Sequence, residues 1–549
     1  MGETSMRLAA IRRIYFYFVA LITLIAGLLA LNGLLHGLTV AWSGVGEAVN
    51  VGNDAFVRTL LARNGGLLVV TTPLFLLHWG YIQRSLVDDD ERRAGMRKFY
   101  LYAASTAALI ITLVNLHILT STALEALFAP VQAAAAPLLW LQQIGLVAAG
   151  LGLLGYHHHV LQTDGDYGHE SGSALFWRRL FLALAGLAGV VMLTLGAAGV
   201  ARVLLDFGLE RLAPSVGVTW AIPLARGLAT VLTGALLTHW AGRQWQTVIA
   251  LNPDDATSAW RRLYLYGAVV IGAVATLTPA ALILREGLLL LFGEEGGSLS
   301  LLLNKLISPL AYMPGGMVVW LVYRRTLARE QARFGDSAAS ITVGRIYNYV
   351  VAATALILLW IGSIEILQAL IDTGFSRGAV VGARPVWVQP LATGLSLLAV
   401  GAPVWIFHWR AAQTVARRDD AAGADERTSL ARRIFLFGLA LVSAVLVVVF
   451  LAQVIYRVFL LLLGAPDAGL WSAEAANELA RAAVSAAVWL FTVMTIRADG
   501  RMPAPPPPAV DRAAHRHELD ARIARLEAEL AAAREELAAL EDVEDKIKE

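Results

Sequence analysis

Histidine and tryptophan recur in this sequence as a unit. His78-Trp79 with Gln83, His239-Trp240 with Gln244 and His408-Trp409 with Gln413 share the pattern His-Trp-x-x-x-Gln. Imidazoles at equivalent depths on neighbouring helices could hold a haem iron from two sides, so His78, His239 and His408 are the candidate haem ligands. Charged linkers at Arg84 and Arg410 lie within about two helical turns, which favours the simpler reading of satisfied interfacial histidines. A second group, His157, His158, His159, Asp164, Asp166 and His169, carries imidazole and carboxylate donors suited to a divalent metal. Its spacing matches no tight ligand motif, so a polar loop is expected there and no cofactor is expected. The chain has no cysteine, which removes disulfides, thiolate catalysis, Cys-ligated zinc and iron-sulfur clusters. It also lacks a phosphate-binding glycine loop, a nucleophile elbow, an HExxH pair and a paired-carboxylate site, so the expectation is a protein that is not an enzyme.

A basic-aromatic cluster recurs alongside the histidines. Arg12-Arg13-Ile14-Tyr15, Arg97-Lys98-Phe99-Tyr100, Arg178-Arg179-Leu180-Phe181, Arg261-Arg262-Leu263-Tyr264, Gly344-Arg345-Ile346-Tyr347 and Arg432-Arg433-Ile434-Phe435 follow one another at about 81 to 88 residues. Arginine heads beside aromatic rings suit the membrane interface, where they meet lipid phosphates. Arg12, Arg13, Tyr15, Tyr17, Arg97, Lys98, Tyr100, Arg261, Arg262 and Tyr264, with Trp79, Trp240 and Trp409, are therefore expected to address lipid headgroups.

The elements that position these clusters follow from composition. The 549-residue chain is 57% hydrophobic and 16% charged, with mean hydropathy +0.62, which excludes a soluble multidomain protein. Each cluster opens an apolar run, a short loop turns the chain, and a second run follows, both long enough to cross a hydrocarbon core of about 30 Å. The expectation is an all-α integral membrane protein of about twelve transmembrane helices, in six parallel two-helix repeats, plus a C-terminal cytoplasmic coiled-coil helix. The repeats are drawn at residues 1–88, 89–170, 171–253, 254–337, 338–424 and 425–500, a proline-rich linker at 501–510 and the coiled coil at 511–549. The His-Trp closers fall in odd repeats alone, while the even ones carry His157, Tyr323 and Thr492 near that place, which argues for three modules of four spans. Net charge is +2, with no bias toward nucleic acid. The linker side carries about 26 basic residues against roughly eleven on the other, which places both termini in the cytoplasm. Met1 to Ala10 lacks an apolar core with a cleavage site, so the first span is expected to be retained. Leu204 to Leu209, Leu288 to Phe292 and Phe459 to Leu463 run past the bilayer, so these helices either tilt and protrude or, the preferred reading, turn into the outer interface with a bend or stop at Gly208, Gly293 and Gly464.

Beyond four consecutive prolines, Leu519, Ile523, Leu526, Leu530, Ala533, Leu537 and Leu540 fall at alternating steps of four and three, the seam of a coiled coil. Span centres are almost free of charge, since Arg202, Arg226, Arg285, Glu286, Glu365, Asp372, Arg457 and Arg481 all stand toward the outer ends. Ion-coupled transport needs ionisable groups at the midplane, so it is disfavoured. The openers and closers resemble a bacterial family of uncharacterised polytopic membrane proteins, known as a domain of unknown function, across about Arg12 to Arg497. That resemblance implies tandem multi-span modules and lends no activity; it places the chain in a bacterial inner membrane. The sequence as a whole points to a structural or assembly scaffold that oligomerises or recruits a membrane-complex partner through Leu519, Ile523, Leu526, Leu530, Leu537 and Leu540, in contact with membrane lipids and not nucleic acid. The alternative is a transporter or flippase for a neutral or lipidic solute, with kinks at Pro73, Pro314 and Pro403, and the lesser one a haem or metal redox protein.

Overall fold

The computed structural model describes residues 3–43, 53–86, 89–130, 137–212, 220–293, 299–375, 380–381, 384–464, 473–502, 516, 519–531 and 534. Among the described residues twelve helices are long and apolar enough to cross a membrane. They are α1 (Glu3–Ser43), α2 (Asn53–Arg84), α3 (Gly95–Phe128), α4 (Pro137–Thr163), α5 (Gly172–Leu212) and α6 (Ala221–Leu251), then α7 (Ala259–Leu291), α8 (Leu299–Phe334), α9 (Ala338–Phe375), α10 (Val388–Ala416), α11 (Leu430–Leu462) and α12 (Ala473–Arg501). Lipid offers a peptide group no hydrogen-bond partner, so each crossing must satisfy its backbone internally, and helix is the outcome. Span hydroxyls do the same, as Thr112 and Thr276 donate to the carbonyls of Ala108 and Gly272 one turn back. Among the described residues the strand pairing is a two-residue antiparallel ladder, Val380 opposite Pro385 and Val381 opposite Arg384.

Consecutive spans pack as hairpins, and in each set of four the first span also packs against the third and fourth. Three such modules, α1–α4, α5–α8 and α9–α12, stand in a row. The third span of one module meets the first hairpin of the next: α3 lies on α5 and α6, and α7 lies on α9 and α10. One contact surface is thus used twice, in the manner of a stacked repeat. Glycine sets the closest approaches. A Cβ on Gly316 of α8 would sit 2.8 Å from the backbone and side chain of Ala275 on α7, and one on Gly150 of α4 would meet Thr112 of α3.

The expected interfacial turn on the outer side is corrected. α5 continues through Gly208 to Leu212 as a 41-residue helix of about 60 Å, because glycine inside a helix costs too little to stop it when the flanking residues propagate well. Gly293 and Gly464 do end α7 and α11, with φ of +79° and +74°. In the tail, residues 519–531 are helical and Leu519, Ile523, Leu526 and Leu530 are 45–56% exposed. Leu537, Leu540, Ala533 and the four consecutive prolines lie outside the described residues.

Candidate functional site at the opener face

The six basic-aromatic openers all stand at one end of the array, and most are closed inside the protein. Arg97, Lys98, Arg262 and Tyr100 are 0–1% exposed, and Tyr17, Trp79, Arg261, Tyr264 and Trp409 are nearly as buried. Their expected contact with lipid headgroups is corrected for these residues: a carboxylate from the same chain meets each buried cation before any phosphate could. Arg12 and Tyr15 are half exposed, Arg13 is partly so, and Trp240 is half-buried.

The pairing follows one rule. Six residues before each even opener stands an acid, Glu91, Asp255 or Glu426, and it takes the odd opener of its own module. Arg13 binds Glu91 at 2.9 Å, Arg178 and Arg179 bind Asp255 at 2.6 Å, and Arg345 binds Glu426 at 2.7 Å. These acids sit on short linker helices, Asp89–Arg93, Pro253–Asp255 and Ala421–Thr428. Each even opener binds an acid at or just beyond the end of the module's last span. Arg97 grips Asp164 through Nε and Nη2 at 2.9 and 2.8 Å, Arg432 grips Asp499 at 2.7 and 2.9 Å, and Arg261 pairs with Glu330. The two-point guanidinium-carboxylate geometry fixes direction as well as distance, so each pair pins one helix end to another.

The closers complete these clasps. Trp79 and Gln83, four residues apart, share a helix face toward Arg97: its guanidinium lies 5.8 Å over the Trp79 ring and donates to Gln83 at 3.3 Å. Arg432 treats Trp409 and Gln413 the same way, at 5.6 and 3.4 Å. The middle module differs. Arg261 lies over Trp245, which is fully buried, while Trp240 packs edge-on against Phe181. Seven residues before each last-span acid stand His157, Tyr323 and Thr492. Tyr264 OH meets Tyr323 OH at 2.8 Å and Tyr100 OH meets His157 Nε2 at 3.4 Å; the third module has Phe435 in the tyrosine's place, and Thr492 bonds its own helix.

The histidines are not drawn together. His78 Nδ1–H donates to the Leu74 carbonyl at 2.7 Å and its ring lies against Tyr15 and Phe16; His408 does likewise with Val404 and Tyr347; His239 is exposed. Each belongs to a different module, and His78 and His408 pack within their own hairpins while His239 faces outward, so the haem reading is corrected. In the proposed metal group, Asp164 and Asp166 are taken by Arg97 and Lys98, His157 is fully buried against Tyr100, and His159 and His169 are exposed. Among the described residues no three potential ligands converge.

A cavity of about 270 Å³ lies between the first and second modules, lined by Tyr102, His158, Tyr167, Trp240 and Gln244 over the Arg178 clasp. Behind two of its lining residues, Glu170 accepts from Tyr102 OH at 3.0 Å and Arg178 at 2.6 Å, and from the Gly168 amide at 2.9 Å. Tyr167 OH donates to Gln244 Oε1 at 3.0 Å, and burial, reinforced by Glu170, pushes its phenol above the ordinary value. A second cavity, about 410 Å³ and apolar, lies along the contact of α9 with α12, and Trp405 on its wall has an indole N–H without a partner among the described residues.

A family described as a domain of unknown function, DUF5671, has a model that matches residues 13–155, 179–322 and 345–491. The chain belongs to this family. Each DUF5671 match begins at an odd opener and spans four helices, so the unit of the family is the four-span module. No curated protein and no solved structure matches the chain. The acids were missed in the linear DUF5671 pattern because clasp partners lie tens of residues apart; the constant six-residue step from Glu91, Asp255 and Glu426 to the even openers was the readable signal.

Proposed function

We propose that this multi-pass protein is a non-enzymatic membrane scaffold that self-associates, or recruits a partner, through its C-terminal helix. The observation that carries the reading is the seam of Leu519, Ile523, Leu526 and Leu530, all about half exposed on a helix whose other positions are polar or small. Apolar residues at alternating steps of four and three need a partner helix to leave water, and burying a leucine is worth about 1.5–3 kcal/mol. The membrane part supports the same reading. Its outer-end charges pair with one another, as Arg226 with Glu125 at 3.0 Å and Arg457 with Glu478 at 2.6 Å, which leaves them engaged in holding helices together. The excess of basic residues on the opener side supports cytoplasmic termini and a place in a bacterial inner membrane. Light scattering on the detergent-purified full-length chain tests the proposal. The wild type is expected at twice the monomer mass or more, or bound to a partner, and Leu526→Asp with Leu530→Asp at the monomer mass. Equal masses with no partner would sink it.

A further inference from the structure

The third module breaks the clasp rule at one position, and a socket opens there. The second cation of each even opener is Lys98, Arg262 or Arg433. Lys98 is fully buried between Asp164 and Asp166, and Arg262 is fully buried with Asp336 at 3.1 Å and the Gly335 carbonyl at 2.9 Å. Those acids belong to the connector that leads into the next module. After the third module the chain runs into Arg501 and a proline-rich stretch instead of an acidic connector. Two residues past the last-span acid, where the first module has Asp166, stands Arg501, and Arg433 is exposed with no carboxylate partner among the described residues. Around it lies a cavity of about 530 Å³, whose walls include Arg427, Arg433, Leu436, Phe437, Ile496 and Met502. Phe437 holds the register of Tyr102 and Tyr266, which pack on Phe181 and Tyr347 of the following module; here it is 58% exposed.

The chemistry of this socket is lopsided in a way that specifies its ligand. Its wall carries two cations, Arg427 and Arg433, and the one acid in it, Asp499, is already held at two points by Arg432. The rest of its wall is largely apolar, with Leu436, Phe437, Ile496 and Met502, and on the same helix α11 Leu430, Ile434 and Leu441 are 64–73% exposed. It stands at the start of a span, at headgroup depth. A free anion would leave the apolar walls unused, and a zwitterionic headgroup would bring its own cation into the charge excess.

We propose that the socket holds the headgroup of an anionic phospholipid, with Arg433 at the phosphate and the first acyl methylenes along Leu436 and Phe437. The lipid takes the place that an acidic connector fills in the first two modules. This inference is independent of the tail.

Native mass spectrometry of the full-length protein, from detergent micelles doped equally with phosphatidylglycerol and phosphatidylcholine, tests it. The wild type is expected to retain phosphatidylglycerol about fivefold over phosphatidylcholine, the contribution of roughly one basic residue at a membrane surface. Arg433→Gln is expected to bring the two near parity. So is Arg501→Asp, at an exposed position, because it restores the acid found at that register in the first module. Excess inorganic phosphate should leave the lipid in place. No preference in the wild type, or a preference that survives both substitutions, overturns the proposal; displacement by inorganic phosphate overturns the lipid in favour of a bare anion site.

Discussion

At the scale of residues, the opener arginines act as clasps whose carboxylates come from the chain itself. A buried ion pair is a poor source of net stability, because desolvation offsets most of its Coulomb attraction, yet removing one member strands a charge in low dielectric. Arg178 makes the sharpest case, joining Glu170 to Asp255 at 2.6 Å on each side with all three side chains 0–1% exposed. Arg178→Ala is expected to destabilise the protein by about 3–5 kcal/mol, read as loss of the folded fraction in a denaturant series in detergent. The exposed Arg202, 3.7 Å from Asp206, is the control, and a loss there equal to that of Arg178→Ala would contradict the clasp. The sequence made the arginines legible and their environment illegible. Basic-aromatic pairs at a span end fit headgroups and buried carboxylates equally well, and only the helix packing shows which one they meet. Asp164 and Asp166 look like metal ligands beside His157 until Lys98 arrives from a different helix.

At the scale of elements, span count and the four-span period were readable, since lipid permits a single kind of crossing and the marker residues recur in phase with hydropathy, whereas which helices pair and in what order the modules pack came from the structure. Helix ends were less readable, as Gly208 shows. Closeness of approach was not readable at all, because it depends on which small residues face each other. Gly272 of α7 and Gly316 of α8 do so, and a Cβ on Gly272 would run into the Trp320 backbone amide and the Gly316 carbonyl. Gly272→Val is expected to cost about 1–3 kcal/mol, while Gly287→Val, where nothing lies within 4 Å, leaves thermal melting nearly unchanged. Equal melting shifts for the two would show that the approach carries no energy. The register also explains the apolar cavity of the third module. Fifteen residues before the last-span acid the second module has Gly315, whose Cβ would sit 3.0 Å from Ala197 of α5, and the third has Val484, which lines the gap between α9 and α12.

At the scale of the whole molecule, three DUF5671 units stack through one repeated surface, and the array stops where the chain turns into its tail. The described part of the tail carries an exposed apolar seam, Leu519, Ile523, Leu526 and Leu530, at about heptad spacing, and that seam is the basis of the scaffold reading. The chain contains no cysteine, so a single introduced thiol reports its surroundings without background. Leu526→Cys, oxidised in intact membranes containing the full-length protein, is the most direct test. The account predicts a disulfide-linked dimer, or a covalent adduct with a partner, formed at Leu526→Cys and not at Glu527→Cys on the neighbouring face. A chain that stays at monomer mass at both positions would contradict it.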